Sequence, residues 1–123
     1  MKKSQRHVLI VEDNAFLAKA MRKVLSANGL RVSAVESAKE AIKIIDVDTP
    51  HLLLLDLLLP HIDGFAVLEH RKEKKQSFAV IICSNLSDKA TKDKCKAFGI
   101  SAFVVKSDMD DEELWPVVEK YLK

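Results

Sequence analysis

The sequence HLLLLDLLLP spans residues 51–60 and sets one carboxylate, Asp56, among seven leucines. The leucines before Asp56 form an uninterrupted apolar run, without the polar alternation of a strand that faces water on one side. Such a run is typical of a strand covered on both faces, as in a parallel sheet. Because an isolated ionised carboxylate is costly to remove from water, Asp56 is expected at the end of this strand and outside the core.

Four further short runs rich in Val, Ile and Leu predict a sheet of five strands. Together with the leucine run, they occupy residues 7–11, 31–35, 51–55, 78–83 and 101–105. Longer mixed segments follow each run and are expected to form helices. Right-handed crossovers between such units produce an open, doubly wound parallel sheet with helices on both faces, and function gathers at the carboxyl ends of its strands.

The first three helices carry recognisable start or stop signals. An apolar stripe over residues 17–25 is followed by Gly29, which favours a helix end there. A Ser-Ala-Lys-Glu capping box at residues 37–40 predicts the start of the second helix. The third begins near Gly64, which is assigned to loop geometry or close packing. Its charged residues 71–75 are expected to form a solvated helix end.

The last two helices are less regular. Residues 88–98 have a thin apolar face before Gly99, so this fourth helix is expected to dock loosely. The fifth helix is predicted between about residues 111 and 122, with acidic residues favouring its start. Pro116 lies past the expected first turn and removes a backbone hydrogen bond. We therefore expect this helix to start late or to kink.

Polar side chains stand where four of the predicted strands end. Glu12 and Asp13 follow the first strand, and Asp56 follows the third. Ser84 follows the fourth strand and Lys106 the fifth. Because the carboxyl ends of parallel strands share one edge of the sheet, three carboxylates, a hydroxyl and an ammonium group are expected to converge there.

Such a cluster of carboxylates needs a counter-charge. Two like charges about 4 Å apart repel by roughly 4 kcal/mol at an effective dielectric of about 20. A cation, a shared proton or a lysine relieves this, and Mg²⁺ suits the cluster because it prefers oxygen ligands and commonly bridges to phosphate. In this setting Asp56 can attack a phosphoryl group, while Ser84 hydrogen-bonds a phosphoryl oxygen and Lys106 offsets its charge.

Taken in order, these motifs resemble those of two-component response-regulator receiver domains of the CheY-like superfamily. The resemblance covers nearly the whole chain. It rests on VLIVEDN at residues 8–14, DLLLPHIDG at residues 56–64, Ser84, Phe103 and Lys106. It implies a (βα)5 fold, a three-layer α/β/α arrangement whose five-stranded parallel sheet has the flavodoxin-like strand order 2-1-3-4-5.

The resemblance also implies the chemistry of the site. Asp56 is expected to accept a phosphoryl group from a sensor histidine kinase or a histidine phosphotransfer protein. The implied Mg²⁺ ligands are Glu12, Asp13, Asp56 and the backbone carbonyl of Leu58. The chain would catalyse only its own phosphorylation and dephosphorylation.

A switch is implied in the same way. Ser84 and Phe103 form the pair: the phosphoryl group draws Ser84 inward, and the Phe103 ring fills the space that is freed. This would shift an existing equilibrium toward an active form of the face made by the fourth helix, fifth strand and fifth helix, which engages a partner. As an aromatic residue in a strand of a parallel sheet, Phe103 could equally be an ordinary core residue with no switch role.

Three positions depart from the common family pattern. Ser107 replaces the proline that usually follows the lysine, and because a cis bond before a non-proline residue costs about 2.5–4 kcal/mol, we predict a trans bond. Asn85 is bulkier than the small residue that commonly follows Ser84. Leu58 is apolar where many relatives are polar. Leu58 and Asn85 are predicted to tune the lifetime of the phosphoryl group, in a direction left open.

Composition excludes several other classes of protein. The chain has 123 residues and a net charge of +2 from scattered lysines, which does not predict direct nucleic-acid binding. Cys83 and Cys95 have neither zinc-site nor disulfide-framework spacing. No apolar run approaches the roughly 18 residues of a membrane span. We expect a cytoplasmic protein without membrane contact.

Three other functions fit the residues less well than a receiver does. A haloacid-dehalogenase-type phosphohydrolase typically carries a second acid two residues after its nucleophile, and Leu58 stands there. A nucleotide- or flavin-binding module lacks support because neither phosphate-binding glycine motif is present. A receiver-like docking module that is never phosphorylated is disfavoured by the complete set of acidic residues with Ser84 and Lys106.

The expected domain organisation is one receiver domain over residues 1–123 with no output domain present. The chain is either a stand-alone regulator or part of a longer one, so its downstream contact is either a separate protein or a missing output domain. A monomer or a weak phosphorylation-dependent dimer through the last helices is expected.

Overall fold

A computed structural model of the chain describes residues 5–59, 64–86, 88–108 and 111–122. These residues form five strands and five helices in strict alternation. The strands are β1 (His7–Val11), β2 (Arg31–Val35), β3 (Leu52–Leu55), β4 (Ala79–Ser84) and β5 (Ala102–Val105). The helices are α1 (Ala15–Ala27), α2 (Ala38–Val47), α3 (Phe65–Glu73), α4 (Lys89–Ala97) and α5 (Asp111–Tyr121), with a 3₁₀ turn at Lys106–Asp108 before α5.

All neighbouring strands run parallel, in the order β2-β1-β3-β4-β5. This is the predicted flavodoxin-like arrangement. The four leucines of β3 are fully or almost fully buried, with β1 on one side of the strand and β4 on the other. The leucine run is therefore the centre of the sheet, as its lack of polar alternation predicted.

Helices cover both faces of the sheet and divide the core in two. On one face, α2, α3 and α4 pack against alternate strand residues such as Leu53 and Leu55. On the other, α1 and α5 pack against the intervening residues, such as Leu52 and Leu54. Because side chains alternate along a strand, Leu53 and Leu55 belong to one core and Leu52 and Leu54 to the other.

Local signals start and stop the helices largely as predicted. The Asn14 side chain caps α1 by accepting from the Leu17 N–H at 3.1 Å, and the Ser37 hydroxyl accepts from the Glu40 N–H at 3.2 Å. Gly29 and Gly99 adopt φ values of +82° and +77° just after α1 and α4. These left-handed conformations favour glycine and end both helices.

Of the two alternatives predicted for α5, the late start is wrong, and the kink stays a prediction. The helix begins at Asp111, so Pro116 lies inside it. Packing explains the tolerance, because Leu114 and Val118 are buried in the core shared with α1. The hydrogen bond that proline cannot donate is outweighed by this burial.

The prediction that residues 71–75 form a solvated helix end is wrong for Arg71. Its side chain lies on the buried stripe of α3 with Val67 and Leu68. The guanidinium group donates to the carbonyl oxygen of Phe78 at 2.7 and 3.1 Å and to that of Phe98 at 3.2 Å. Burial lowers the pKa of Arg71. Arg71 therefore ties α3 to the start of β4 and the end of α4, at the sheet edge opposite the strand ends that carry Asp56.

Candidate phosphoacceptor site

Strand pairing places Glu12 and Asp56 side by side. Val11 and Leu55, the last residues of β1 and β3, are register partners. Glu12 and Asp56 follow them directly, and the Asp56 N–H donates to the carbonyl oxygen of Val11 at 3.1 Å. Asp56 thus lies at the carboxyl edge of the sheet, as the opening stretch predicted.

Both carboxylates are nearly removed from water. The relative exposure is 2% for Glu12 and 5% for Asp56, whereas Asp13 is exposed. One Glu12 oxygen, Oε2, accepts the backbone N–H of Asn14 at 3.0 Å. One Asp56 oxygen, Oδ1, accepts the backbone N–H of Leu58 at 3.1 Å. Each carboxylate is therefore oriented by the loop that follows it.

Lys106 supplies the counter-charge for the second oxygen of each buried carboxylate. Its Nζ lies 2.8 Å from Asp56 Oδ2 and 2.5 Å from Glu12 Oε1. The lysine reaches this position because Val105, the last residue of β5, is paired with Ser84 at the end of β4. One ammonium group thus bridges two carboxylates that would otherwise repel each other.

The pKa values reflect this balance. Burial raises the pKa of Glu12 above its ordinary value, and the hydrogen bond from Lys106 only partly opposes the shift. Burial acts to lower the pKa of Lys106, but its hydrogen bonds to Asp56 and Glu12 and their charges outweigh it, so the pKa of Lys106 is raised. The ammonium group is charged throughout the neutral range.

Glu12, Asp13 and Asp56 are grouped closely enough to bind one metal ion. An oxygen atom from each of the three carboxylates lies within 4.8 Å of the others. Three carboxylate oxygens at the rim of a sheet form a hard donor set of the kind that Mg²⁺ prefers, with room for water ligands beside exposed Asp13. The residues present therefore fit a magnesium ion.

Ser84 ends β4 and is fully buried. Its Oγ accepts the backbone N–H of Leu86 at 3.1 Å, so the hydroxyl proton is left to donate elsewhere. Phe103, the register partner of Ile82, is half-buried against the core beneath α4. Its ring lies 5.6 Å from the Lys92 ammonium group. The switch role of Ser84 and Phe103 stays a prediction.

The three unusual positions have specific neighbours. The described backbone contains no cis peptide bond, as predicted for the bond between Lys106 and Ser107. The Ser107 N–H donates to Asn85 Oδ1 at 2.8 Å, a contact that proline at position 107 could not make. Leu58 is 55% exposed beside the pocket. The metal-binding role of the Leu58 carbonyl stays a prediction.

Gly64 is essential to the packing behind Asp56. A Cβ atom at this position would lie 2.6 Å from the carbonyl oxygen of Asp56 and 2.9 Å from Leu57 Cα. The Gly64 N–H donates to the Leu57 carbonyl at 2.9 Å. The close-packing interpretation of this glycine is confirmed, while Pro60 of the same motif lies outside the described residues.

Comparison with known proteins decides the family. The family model of the response regulator receiver domain matches residues 8–119. The chain belongs to the response regulator receiver family. Receiver domains of this kind act in two-component signalling and generally bind Mg²⁺.

The chain matches parts of longer relatives as well as a relative of similar length. The chain is 34% identical over 103 residues to a protein-glutamate methylesterase/protein-glutamine glutaminase of Treponema pallidum, covering 80% of the chain and 26% of that protein. It is 30% identical to a transcriptional regulator of Cyanidium caldarium, covering 85% of the chain and 41% of the relative. Against the chemotaxis protein CheY of Bacillus subtilis, it is 28% identical, and the match covers 87% of the chain and 90% of CheY.

Solved structures agree on the fold. The signal receiver domain of a Vibrio parahaemolyticus protein superposes with a TM-score of 0.90 at 26% identity, covering 97% of this chain and 91% of the other. A CheY-like receiver from Methanospirillum hungatei gives a TM-score of 0.89 at 21% identity, covering 97% and 94% of the two chains.

No helix in the described residues is both long and apolar enough to cross a membrane.

Proposed function

We propose that this receiver is switched by phosphorylation of Asp56. The observation that carries the proposal is the grouping of Glu12, Asp13 and Asp56 within 4.8 Å, with the Lys106 ammonium group against two of them. This is a pocket in which negative charge is held at high density beside one fixed cation. With Mg²⁺ bound by the carboxylates, the metal ion and the Lys106 ammonium group could together offset the charge that a phosphoryl group brings to Asp56.

In the proposed reaction, an Asp56 carboxylate oxygen forms a bond to phosphorus as the bond from phosphorus to a histidine nitrogen breaks. The nitrogen keeps the electron pair, and the donor is a sensor histidine kinase or a histidine phosphotransfer protein. Glu12, Asp13, Asp56 and the Leu58 carbonyl would hold Mg²⁺, which neutralises phosphoryl oxygens when bound. Lys106 stabilises the same charge from the β5 side.

The proposal extends to the switch and its output. The Ser84 oxygen accepts the Leu86 N–H, and this contact does not use the hydroxyl proton. That proton can therefore donate to a phosphoryl oxygen. Inward movement of Ser84 would free space for the Phe103 ring and change the face formed by α4, β5 and α5. That face would engage a downstream protein or an output domain, with the receiver acting in the cytoplasm as a monomer or a weak phosphorylation-dependent dimer.

Acetyl phosphate with Mg²⁺ tests the phosphoacceptor. Mass spectrometry of the digested protein should locate one phosphoryl group on Asp56, and Asp56→Asn should abolish it. Asp93→Asn, which removes an exposed carboxylate of α4, is the matched control and should be modified like the parent. An unmodified parent, or undiminished modification of Asp56→Asn, would contradict the proposal.

Leu58 and Asn85 are proposed to set the lifetime of the phosphoryl group. Leu58 is exposed beside the pocket, and Asn85 accepts the N–H that follows Lys106, so its loss would loosen the loop that carries this lysine. Dephosphorylation rates of Leu58→Asn and Asn85→Ala should differ from the parent. In a Ser107→Pro background the Asn85→Ala effect should shrink, because the donor is already absent. Unchanged rates in both single variants would rule out this role.

A further inference from the structure

A cavity lies at the amino ends of the strands, on the edge of the sheet opposite Asp56. Its volume of about 530 Å³ falls within the range of roughly 300–1,000 Å³ that is typical of small-molecule sites. The segments that enter β1, β3, β4 and β5 form most of its wall, together with α3 and the end of α5. Its polar side chains are those of Arg6, His51, Arg71, Ser77, Ser101 and Tyr121. No Asp or Glu of the described chain lines it.

Arg71 distinguishes this cavity, because it is the only buried lysine or arginine among the described residues. No carboxylate lies within 4 Å of its guanidinium group in the part of the chain that the structure describes. Lys106, by contrast, is paired with two carboxylates. The carbonyl oxygens of Phe78 and Phe98 accept hydrogen bonds from Arg71 but carry no net charge. An anion in the cavity would therefore offset a buried charge that the described chain leaves without a counter-charge.

Arg71 also keeps donors for such an anion. A guanidinium group has five N–H bonds. Nε and Nη2 each donate to the Phe78 carbonyl, and Nη1 donates to the Phe98 carbonyl. The second N–H of each terminal nitrogen has no partner among the described residues. Two N–H groups of a charged donor are thus left for the oxygens of an anion, and arginine suits phosphate oxygens in particular.

Arg6 and His51 add two exposed donors to the same wall. The His51 Nδ1 atom accepts the backbone N–H of His7 at 2.9 Å. The proton of the neutral ring is therefore on Nε2, where it can be donated to a ligand. The His51 carbonyl accepts from Ala79 at 3.3 Å, and the Arg6 carbonyl accepts from Arg31 at 3.0 Å. Pairing between strands thus fixes the backbone that carries both side chains.

The rest of the wall favours a ligand with a hydroxylated body over a bare ion. Ser77, Ser101 and Tyr121 bring three hydroxyl groups, which have no hydrogen-bond partner among the described residues. One face of each lining aromatic ring is covered by a cation, 5.4 Å from the centroid for Tyr121 and 5.2 Å for Phe78, which leaves less surface for a nucleobase. A water molecule takes about 30 Å³ in the liquid, so the cavity exceeds what a tetrahedral anion alone would fill. A sugar phosphate combines the anion with the hydroxyl groups.

We infer that the cavity at the amino edge of the sheet binds a sugar phosphate. The phosphate group contacts Arg71, Arg6 and the Nε2 atom of His51. The sugar hydroxyl groups contact the lining serine and tyrosine side chains. This site goes beyond the proposed function, because it lies at the opposite edge of the sheet from Asp56 and does not require phosphorylation.

The test is a titration of ¹⁵N-labelled receiver with ribose 5-phosphate, without Mg²⁺ and at constant ionic strength. The backbone amides of His51 and Ser101 should shift saturably, and those of Ser84 and Lys106 should not move. Free ribose lacks the anion, and sulfate lacks the organic body. Each should bind at least about tenfold more weakly than ribose 5-phosphate, because each loses one group of contacts.

Two variants test the site without changing Arg71. Arg6→Gln should weaken ribose 5-phosphate binding about tenfold, because a charged donor to the phosphate is lost. His51→Asn should weaken it about threefold, since asparagine Oδ1 can still accept the His7 N–H but the Nε2 donor is gone. Arg22→Gln removes an equal charge from the exposed surface of α1, beside a different cavity, and should bind like the parent.

Several outcomes would overturn the inference. They are no saturable shift with ribose 5-phosphate, shifts confined to the edge that carries Asp56, and equal weakening by Arg6→Gln and Arg22→Gln. Sulfate binding as tightly as ribose 5-phosphate would mean an adventitious ion only, and tighter binding of adenosine monophosphate would contradict the sugar phosphate assignment. Asp56→Asn should bind ribose 5-phosphate like the parent. Phosphorylation by acetyl phosphate is measured separately, so either result can fail without the other.

Discussion

Replacing Lys106 by methionine tests the electrostatic design of the pocket. The change removes the cation that lies 2.8 Å from Asp56 and 2.5 Å from Glu12, while the aliphatic stem is largely kept. Two nearly buried carboxylates would then face each other without compensation. In the absence of Mg²⁺, the protein should be clearly less stable at neutral pH.

The expected loss follows from two estimates. At the 4.8 Å limit that contains the carboxylate oxygens, two unit charges repel by about 3.5 kcal/mol at an effective dielectric of about 20. Removing one partner of a buried ion pair typically costs about 3–5 kcal/mol. The lysine side chain keeps 16% exposure, so water screens part of both effects. We expect a loss of about 2–3 kcal/mol in the free energy of unfolding, a large part of a small domain's stability.

The assay is urea unfolding followed by circular dichroism with a chelator present, comparing variants only where the denaturant slopes agree. Adding Glu12→Gln to Lys106→Met should recover at least about 1 kcal/mol, because one of the two opposed charges is gone. The pKa of Glu12 is already raised by burial, so folded protein binds this proton more tightly than unfolded protein. The Lys106→Met penalty should therefore shrink as pH falls from 7.5 to 5.5. A loss below about 0.5 kcal/mol, or no recovery with Glu12→Gln, would refute the reasoning.

Three further changes probe the scaffold. Gly64→Ala should lower the free energy of unfolding by at least about 2 kcal/mol and slow phosphorylation by acetyl phosphate, because the added Cβ would meet the Asp56 backbone. A phosphorylation rate and a urea midpoint like those of the parent would contradict this. Arg71→Met should cost about 2–4 kcal/mol in urea unfolding because the part-buried carbonyls of Phe78 and Phe98 lose their donor. A loss under about 1 kcal/mol would exclude this stabilising role of Arg71. Burial lowers the pKa of His7, so stability should fall as pH drops below the ordinary value of 6.5. His7→Gln should flatten this dependence in urea titrations, and an unchanged dependence would contradict the role of His7.

The sequence predicted the sheet well because burial on both faces leaves a local signature. The leucines before Asp56, and the apolar runs of the other strands, need no knowledge of the tertiary structure to be read as strands. Once the strands are placed, the positions of their carboxyl ends are known. These positions predict that Glu12, Asp56 and Lys106 converge. Boundaries moved by one residue at β3, β4 and β5, since the ends of strands depend on pairing with neighbours.

The wrong or missing predictions have a different cause, because they depend on contacts between residues that are distant in sequence. Arg71 stands in a charged run, and its burial depends on the carbonyls of Phe78, just before β4, and Phe98, just after α4. Its spacing from Val67 and Leu68 was the available signal, because residues three and four apart share a helix face. The pairing of Asn85 with Ser107 likewise depends on two loops meeting in space. Pro116 was judged by local propensity, which core packing overrode.

Binding of beryllofluoride, a mimic of the phosphoryl group, tests the central claim most directly. Fluorine NMR of the parent with Mg²⁺ should show a saturable bound signal, which disappears in Asp56→Asn and on removal of Mg²⁺. Asp13→Asn should weaken binding without unfolding the protein, since Asp13 is exposed and a predicted magnesium ligand. A bound signal that persists in Asp56→Asn, or no bound signal in the parent, would contradict the account of Asp56 as the phosphoacceptor of this receiver.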